Sequence, residues 1–174
     1  RLVPRALRVT RAGRLVLAER PGGIPADEAA ASFLERLSRA GTGLLPWDAA
    51  CARLLERLRF YASRPGGEGL GDLSDAGLAS RAGQWLAPHL DFSGGPVLTG
   101  RSLHAALAGL LEQATPRVGR RVFDEAVPDS LRLPHGGRRQ IDYSSGSPVV
   151  EARIQEVYGL SASPRVCGLP LAFR

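Results

Sequence analysis

The sequence predicts an α+β protein: a basic β-hairpin edge, then a helical segment of four to five short helices, then a small antiparallel β-rich unit with one short helix. Three observations carry this reading. Residues 7–17 alternate apolar and polar around Ala12-Gly13, the period of two that marks a hairpin. Between residues 26 and 127, apolar side chains recur at helical spacing in blocks separated by Gly and Pro. From residue 128 onward, short alternating runs between Gly- and Ser-rich turns return to a period of two. Helices first and strands second is the segregation of an α+β chain, unlike the strand–helix alternation of doubly wound folds. The expected organisation is the end of a β element at 1–20, a helical segment at 26–127 and a β-rich unit, itself truncated, at 128–174.

Residues 1–20 carry six Arg against one Glu, net +5. Two strands alone are marginal in water, so this hairpin reads as the edge of a larger sheet. The first helix is expected over 27–39, capped by Asp27, with Ala30, Phe33, Leu34 and Leu37 as its apolar stripe. The second is expected over 48–63. Cys51, Leu54, Leu55, Leu58 and Tyr61 fill its core side, and Arg53, Glu56, Arg57 and Arg59 its other side. Residues 65–71 read as a flexible loop. Its four glycines lack the spacing, the preceding strand and the lysine of a phosphate-binding loop.

Ser74 is placed as the cap of a third helix, with Leu78, Ala82, Trp85 and Leu86 facing inward. A fourth begins at Thr99 or Gly100 and buries Leu103, Leu107, Leu110 and Leu111; residues 117–127 form a further short helix. In the β-rich unit, residues 130–133 are a strand, and Gly136-Gly137 supplies the positive φ of a two-residue hairpin turn. Residues 138–143 follow, with Ile141 and Tyr143 on one face and Gln140 and Asp142 on the other. A turn at 144–147, a third strand from Val149, and a helix carrying Ile154, Val157 and Tyr158 complete it, with Gly159 as the stop.

Net charge is +6 and the isoelectric point about 10.5; all 23 basic residues are Arg. Such a balance favours phosphate-rich partners, although an Arg bias also follows from GC-rich codons. The two cysteines are isolated, as expected of reduced thiols in a cytoplasmic protein. No apolar run approaches the ~20 residues of a membrane span, so no membrane partner is expected. The chain lacks Met and opens RLVPRALRV, which points to a piece of a longer protein.

The chemistry-bearing residues do not assemble into a catalytic pattern. There is no G-x-S-x-G elbow, and two Cys and three His lie scattered rather than at metal-ligand spacing. His89 and His104 have no partner at a recognisable spacing. Asp124 and Glu125 diverge on a helix. Asp142 and Glu151 can approach across strands, but pairing with Arg138, Arg139 or Arg153 is the expected outcome. We therefore expect no catalytic residue, bound metal or cofactor here. An independent enzyme would require a pocket gathering Asp142, Glu151 and His135.

The candidate binding set is basic. Arg117, Arg120 and Arg121 precede the β-rich unit, and Arg132, His135, Arg138 and Arg139 lie in or beside its first hairpin. Within 117–139, six Arg face three acids, net +3. Arg forks match phosphate oxygens. The competing reading is a solvated basic surface, or Arg paired to the chain's own acids. Aromatics are sparse; Tyr143 is the one stacking candidate in the patch, or else a core residue.

A family resemblance attaches to the same stretch. Pro134–Gly137, Asp142-Tyr143, Gly146–Val149 and Gln155–Gly159 follow the order of a Leu-x-x-Pro-x-Gly turn, a basic-to-Asp-Tyr strand, Gly-x-Pro-Val, and a Gln-Glu-x-aromatic-Gly helix. That order resembles the C-terminal region of HrpB-type bacterial ATP-dependent helicases, relatives of the DEAH-box RNA helicases. Leu45-Pro46-Trp47, Trp85-Leu86 and the strand at 14–20 extend the resemblance over nearly the whole chain.

The resemblance implies that residues 1–20 end an OB-like barrel. It also implies that ATP and Mg belong to motor domains elsewhere in the polypeptide, which are then the chain's partners together with RNA or DNA. The function implied is that of a non-catalytic accessory segment supporting nucleic-acid binding or packing on the motor. The alternative is a protein–protein or intramolecular scaffold without nucleic-acid contact.

Overall fold

A computed structural model describes residues 6–22, 25–92, 97–114 and 119–174. Their elements are mixed α and β, in the expected order of hairpin, helices, then strands. The chain divides into two compact units interleaved in sequence. One is Arg1–Trp47 with Ser74–Ala106, and the other is Asp48–Leu73 with Leu107–Arg174.

The first unit opens on strands β1 (Ala6–Ala12) and β2 (Leu15–Gly22), an antiparallel hairpin. Gly13 turns it at φ 61°, a conformation glycine adopts without steric cost. Leu15 stays 71% exposed, with Val16 and Leu17 beside it. Helix α1 (Ala26–Ala40) follows, and Pro25 rather than Asp27 precedes it as the cap residue. Asp27 instead lies in the first turn, where its charge suits the helix dipole.

Helix α1 packs on α3 (Asp75–Ser80) and α4 (Ala82–Trp85). Ser74 caps α3 as expected, its Oγ accepting the Gly77 N–H at 3.1 Å. Leu37, Leu78, Trp85, Leu86 and Leu103 are buried together in this unit's core, and the Trp85 indole donates to the Leu78 carbonyl at 3.0 Å. Helix α5 (Gly100–Ala114) supplies its start to this unit and its end to the second.

The second unit is built on α2 (Ala49–Ala62), whose first turn is capped by Asp48 Oδ1 accepting the Cys51 N–H at 2.8 Å. Cys51, Leu54, Leu55, Leu58 and Tyr61 are buried as the pattern required. Burial pushes the Cys51 thiol up to about 11, with Asp48 adding to the shift, so it is an unreactive core group at neutral pH. The segment after α2 is not the flexible loop expected. Glu68–Leu70 forms a 3-10 turn with Leu70 buried, and Gly67 sits so close to Tyr61 that a Cβ would lie 2.0 Å from its carbonyl oxygen.

Helix α6 (Gly119–Ala126) leads into a four-stranded sheet ordered β3 (Ser130–Arg132), β4 (Arg138–Asp142), β5 (Val149–Val150) and β8 (Ala172–Phe173). The first two pairings are antiparallel, and β5 pairs with β8 in parallel. Helix α7 (Ile154–Val157) and a small hairpin of β6 (Arg165–Val166) and β7 (Leu169–Pro170) lie between β5 and β8.

One expectation on α2 fails outright. Arg57, read as solvent-facing, is only 7% exposed. Its Nε and Nη2 donate to the Val127 carbonyl at 2.8 and 2.5 Å, and Nη2 donates to Asp124 Oδ1 at 2.6 Å. The guanidinium also lies 4.8 Å from the Phe123 ring centre. The acceptors are carbonyl and carboxylate groups at the C-terminal end of α6, where the helix dipole favours a cation. Burying this charge costs energy that the four contacts return; removing the guanidinium strands its acceptors.

We expect Arg57→Ala to destabilise the chain by about 3 kcal/mol, towards the low end for a broken buried pair because Asp124 is partly solvated. Asp124→Ala, which leaves the Val127 contacts, should cost about 1 kcal/mol. Urea denaturation of the two variants measures both, and equal losses would contradict this ordering.

Candidate functional site

The hairpin β3–β4 and helix α7 form the centre of the site. Register places Arg132 opposite Arg138 and Leu131 opposite Arg139. The turn between the strands is longer than expected. Five residues, Leu133–Gly137, bridge them, closed by Leu133 N–H donating to the Gly137 carbonyl at 3.3 Å. Gly136 and Gly137 both keep φ outside the left-handed region, so conformational freedom is not what the turn uses. Gly136 is instead pressed against α7: a Cβ there would meet the Glu156 side chain at 3.0–3.2 Å.

Glu156 is the hub of this contact. Its carboxylate takes the Arg139 guanidinium in two hydrogen bonds, the Nε one at 3.2 Å, and accepts the Arg153 N–H at 3.1 Å. Its backbone carbonyl accepts the His135 N–H at 3.3 Å. The Arg139 fork, helped by the Arg153 N–H, holds the Glu156 carboxyl below its ordinary range.

The seven candidate residues separate accordingly. Arg117 lies outside the described residues. Arg120 and Arg121 pair one turn along α6 with Asp124 at 3.6 Å and Glu125 at 2.9 Å. Arg139 is engaged by Glu156. Arg132 and Arg138 are exposed and, among the described residues, make no ion pair; His135 is exposed at the turn tip. Tyr143 is resolved as core: it is buried, stacks at 4.9 Å on Phe60, and donates its hydroxyl to the Pro128 carbonyl at 2.6 Å. Burial raises its pKa.

Beside the hairpin runs an open groove of about 690 Å³ that sequence reasoning missed. Arg53 and Glu56 of α2, Arg138 and Asp142 of β4, and Glu151 and Arg174 line it. Helical period on α2 marks Arg53 and Glu56 as one turn's surface, but nothing in the sequence brings them to β4. Hydrogen bonds from Ser144, its hydroxyl foremost and then its N–H at 2.8 Å, hold the Asp142 carboxyl low, and Glu151 pairs with Arg174 at 3.4 Å. Asp142 and Glu151 thus line one groove, each with a partner of its own, while His135 is absent from its lining. Among the described residues no His, Cys, Asp or Glu cluster is arranged to hold a metal ion, and no helix is long and apolar enough to cross a membrane.

Comparison with known proteins places the chain in a family. The family described as ATP-dependent helicase C-terminal matches residues 85–174, just over half of the chain. A crystal structure of the Escherichia coli DEAH/RHA helicase HrpB is similar at TM-score 0.67 and 25% identity, covering 96% of this chain and 22% of that one. A crystal structure of the E. coli DExH-box NTPase HrpB, 23% identical, shares the fold at TM-score 0.67 over 96% of this chain and 21% of its own. The chain thus spans about a fifth of the length of those proteins. A search of curated proteins finds no match.

The depressed Glu156 carboxyl makes the hairpin–α7 contact acid-sensitive in one direction. Its contribution is complete above the ordinary Glu value of 4.5 and is lost as pH falls through the lowered value. Protection of the His135 amide from hydrogen exchange should therefore drop with acidification below pH 4.5. In Glu156→Gln, protection should be weak throughout and lose this acid dependence.

Proposed function

The chain belongs to the family of ATP-dependent helicase C-terminal regions, and from that premise we propose that it is a non-catalytic accessory segment that holds single-stranded RNA, or DNA, for its helicase. The motor domains that bind ATP and Mg lie elsewhere in the same polypeptide on this reading, in the cytoplasm, and are this segment's intramolecular partners. One observation carries the proposal: Arg132 and Arg138 face each other across the β3–β4 ladder, exposed and without an ion pair among the described residues. A folded chain has little reason to set two like charges opposite each other, since the pair is destabilising. A polyanion that lies across both removes the repulsion and gains two charge-assisted contacts.

The remaining surface fits the assignment. Arg120 and Arg121 are held by exposed i,i+4 ion pairs worth little, so they can exchange a carboxylate for a phosphate at small cost. A second reading has its own observation. Leu15, Val16 and Leu17 are exposed on the first hairpin, which suits docking to another protein surface and offers nothing to a phosphate. On that reading the segment is a scaffold that packs on its own motor domains.

Anisotropy of a labelled single-stranded RNA across a salt series separates the two. Arg132→Ala and Arg138→Ala should each weaken binding several-fold and lower the salt slope by about 0.7–1. Arg121→Ala, already paired on α6, should change it less. Absence of binding at low salt by the folded chain would leave the scaffold reading.

A further inference from the structure

Of the aromatic residues described, all but one are buried or half-buried. Phe60, Tyr61, Trp85, Phe123 and Tyr143 are committed to the two cores. The exception is Tyr158, 76% exposed at the end of α7. Ile154, four residues earlier and therefore on the same side of the helix, is 78% exposed. Leaving both in water forgoes the apolar burial that either would gain in a core.

The backbone at Tyr158 is held by a defined turn. The residue is the C-cap of α7, followed by Gly159 at φ 87°, and the Leu160 N–H closes the turn on the Val157 carbonyl at 3.1 Å. Two residues before it, Glu156 ties α7 to the β3–β4 turn through the His135 amide and Arg139. Gly159 itself lies against His135, whose Nε2 is 3.7 Å from where a Cβ would stand. The backbone at Tyr158 is thus held beside the turn of the hairpin that carries Arg132 and Arg138, and Arg153 is exposed at the other end of the same short helix. Against the same helix, Arg139, Arg153 and Arg174 line one shallow pocket with Glu151 and Glu156.

We propose that Tyr158 is a stacking platform for one unpaired base of a single-stranded nucleic acid, with Ile154 extending its apolar face and Arg132, Arg138 and Arg153 holding the flanking phosphates. The proposal rests on the nucleic-acid reading above and adds to it the residue that contacts a base rather than the backbone. The charge decides the occupant. A protein partner would need a dense acidic surface around an apolar contact to meet these arginines, whereas a single strand offers a flat π-face and phosphates at adjacent positions in one molecule. Stacking of this kind tolerates any base, so it supplies affinity without sequence preference.

The test compares the chain's binding to a labelled oligouridine with its binding to an abasic ribose-phosphate strand of equal length. Tyr158→Ala should weaken oligouridine binding about tenfold and leave both abasic binding and the salt slope unchanged. Tyr158→Phe should retain parental affinity. Tyr158→Trp should bind at least as well, and its new indole fluorescence should be quenched by the oligouridine and not by the abasic strand. That readout also decides the matter if the alanine variant folds poorly. Parental oligouridine affinity in Tyr158→Ala, with loss in Arg132→Ala, overturns the platform and leaves the phosphate-binding reading standing. Failure of the parent chain to bind either strand overturns both.

Discussion

Among the described residues of the second unit, the one buried cation ties α2 to the end of α6. Arg57 projects from the middle of α2 and meets the first carbonyl beyond α6, the Asp124 carboxylate and the Phe123 ring. That carbonyl belongs to Val127, directly before Pro128, and the Pro128 carbonyl takes the Tyr143 hydroxyl. One guanidinium therefore fixes where α6 stops, where the chain turns into the sheet, and through Tyr143 how the sheet lies on Phe60. A leucine at position 57 would bury as much apolar surface, but it would not specify that arrangement, because packing alone accepts many registers where hydrogen bonds accept one.

Glu156 plays the corresponding role at the surface. It is a carboxylate in a region otherwise dominated by arginine, and it satisfies Arg139 and the start of α7 together. By engaging Arg139 it leaves Arg132 and Arg138 as the hairpin's uncommitted charges. The site is thus sorted into structural and available cations by one acid, with the glycine at 136 allowing α7 to come close enough for this to happen.

Much of the fold can be read from residue spacing. The leucine stripes of α2 and α5, the Ser74 cap and the alternation of Ile141 and Tyr143 all depend on neighbours within a few positions, and all appear as expected. What could not be read depends on distant partners. Arg57 sits on the polar side of a helical wheel, and its acceptors arrive 67 and 70 residues later. Gly136-Gly137 looks like a two-residue turn because the reason for one of its glycines is Glu156, not the hairpin. The sequence offers Tyr143 as the one stacking candidate of the patch and places Tyr158 in the apolar spacing of a short helix, whereas the structure buries Tyr143 and exposes Tyr158. Only the sheet register, which points Tyr143 to Phe60, and the turn at Gly159, which leaves Tyr158 in water, tell them apart. The family resemblance was legible from motif order alone and is borne out.

The interleaving of the two units has a consequence for synthesis. Helix α2 leaves the ribosome well before residues 107–174, which complete its unit. At ~5–20 residues per second, α2 must wait seconds for those residues to emerge. During that interval Leu54, Leu55 and Leu58 lack their final neighbours, and the Arg57 guanidinium remains hydrated. The nascent chain therefore passes through a stage in which an apolar helix that also carries arginines is present without the residues that bury it. Arg53, Arg57 and Arg59 keep that helix charged in the interval before residues 107–174 are made.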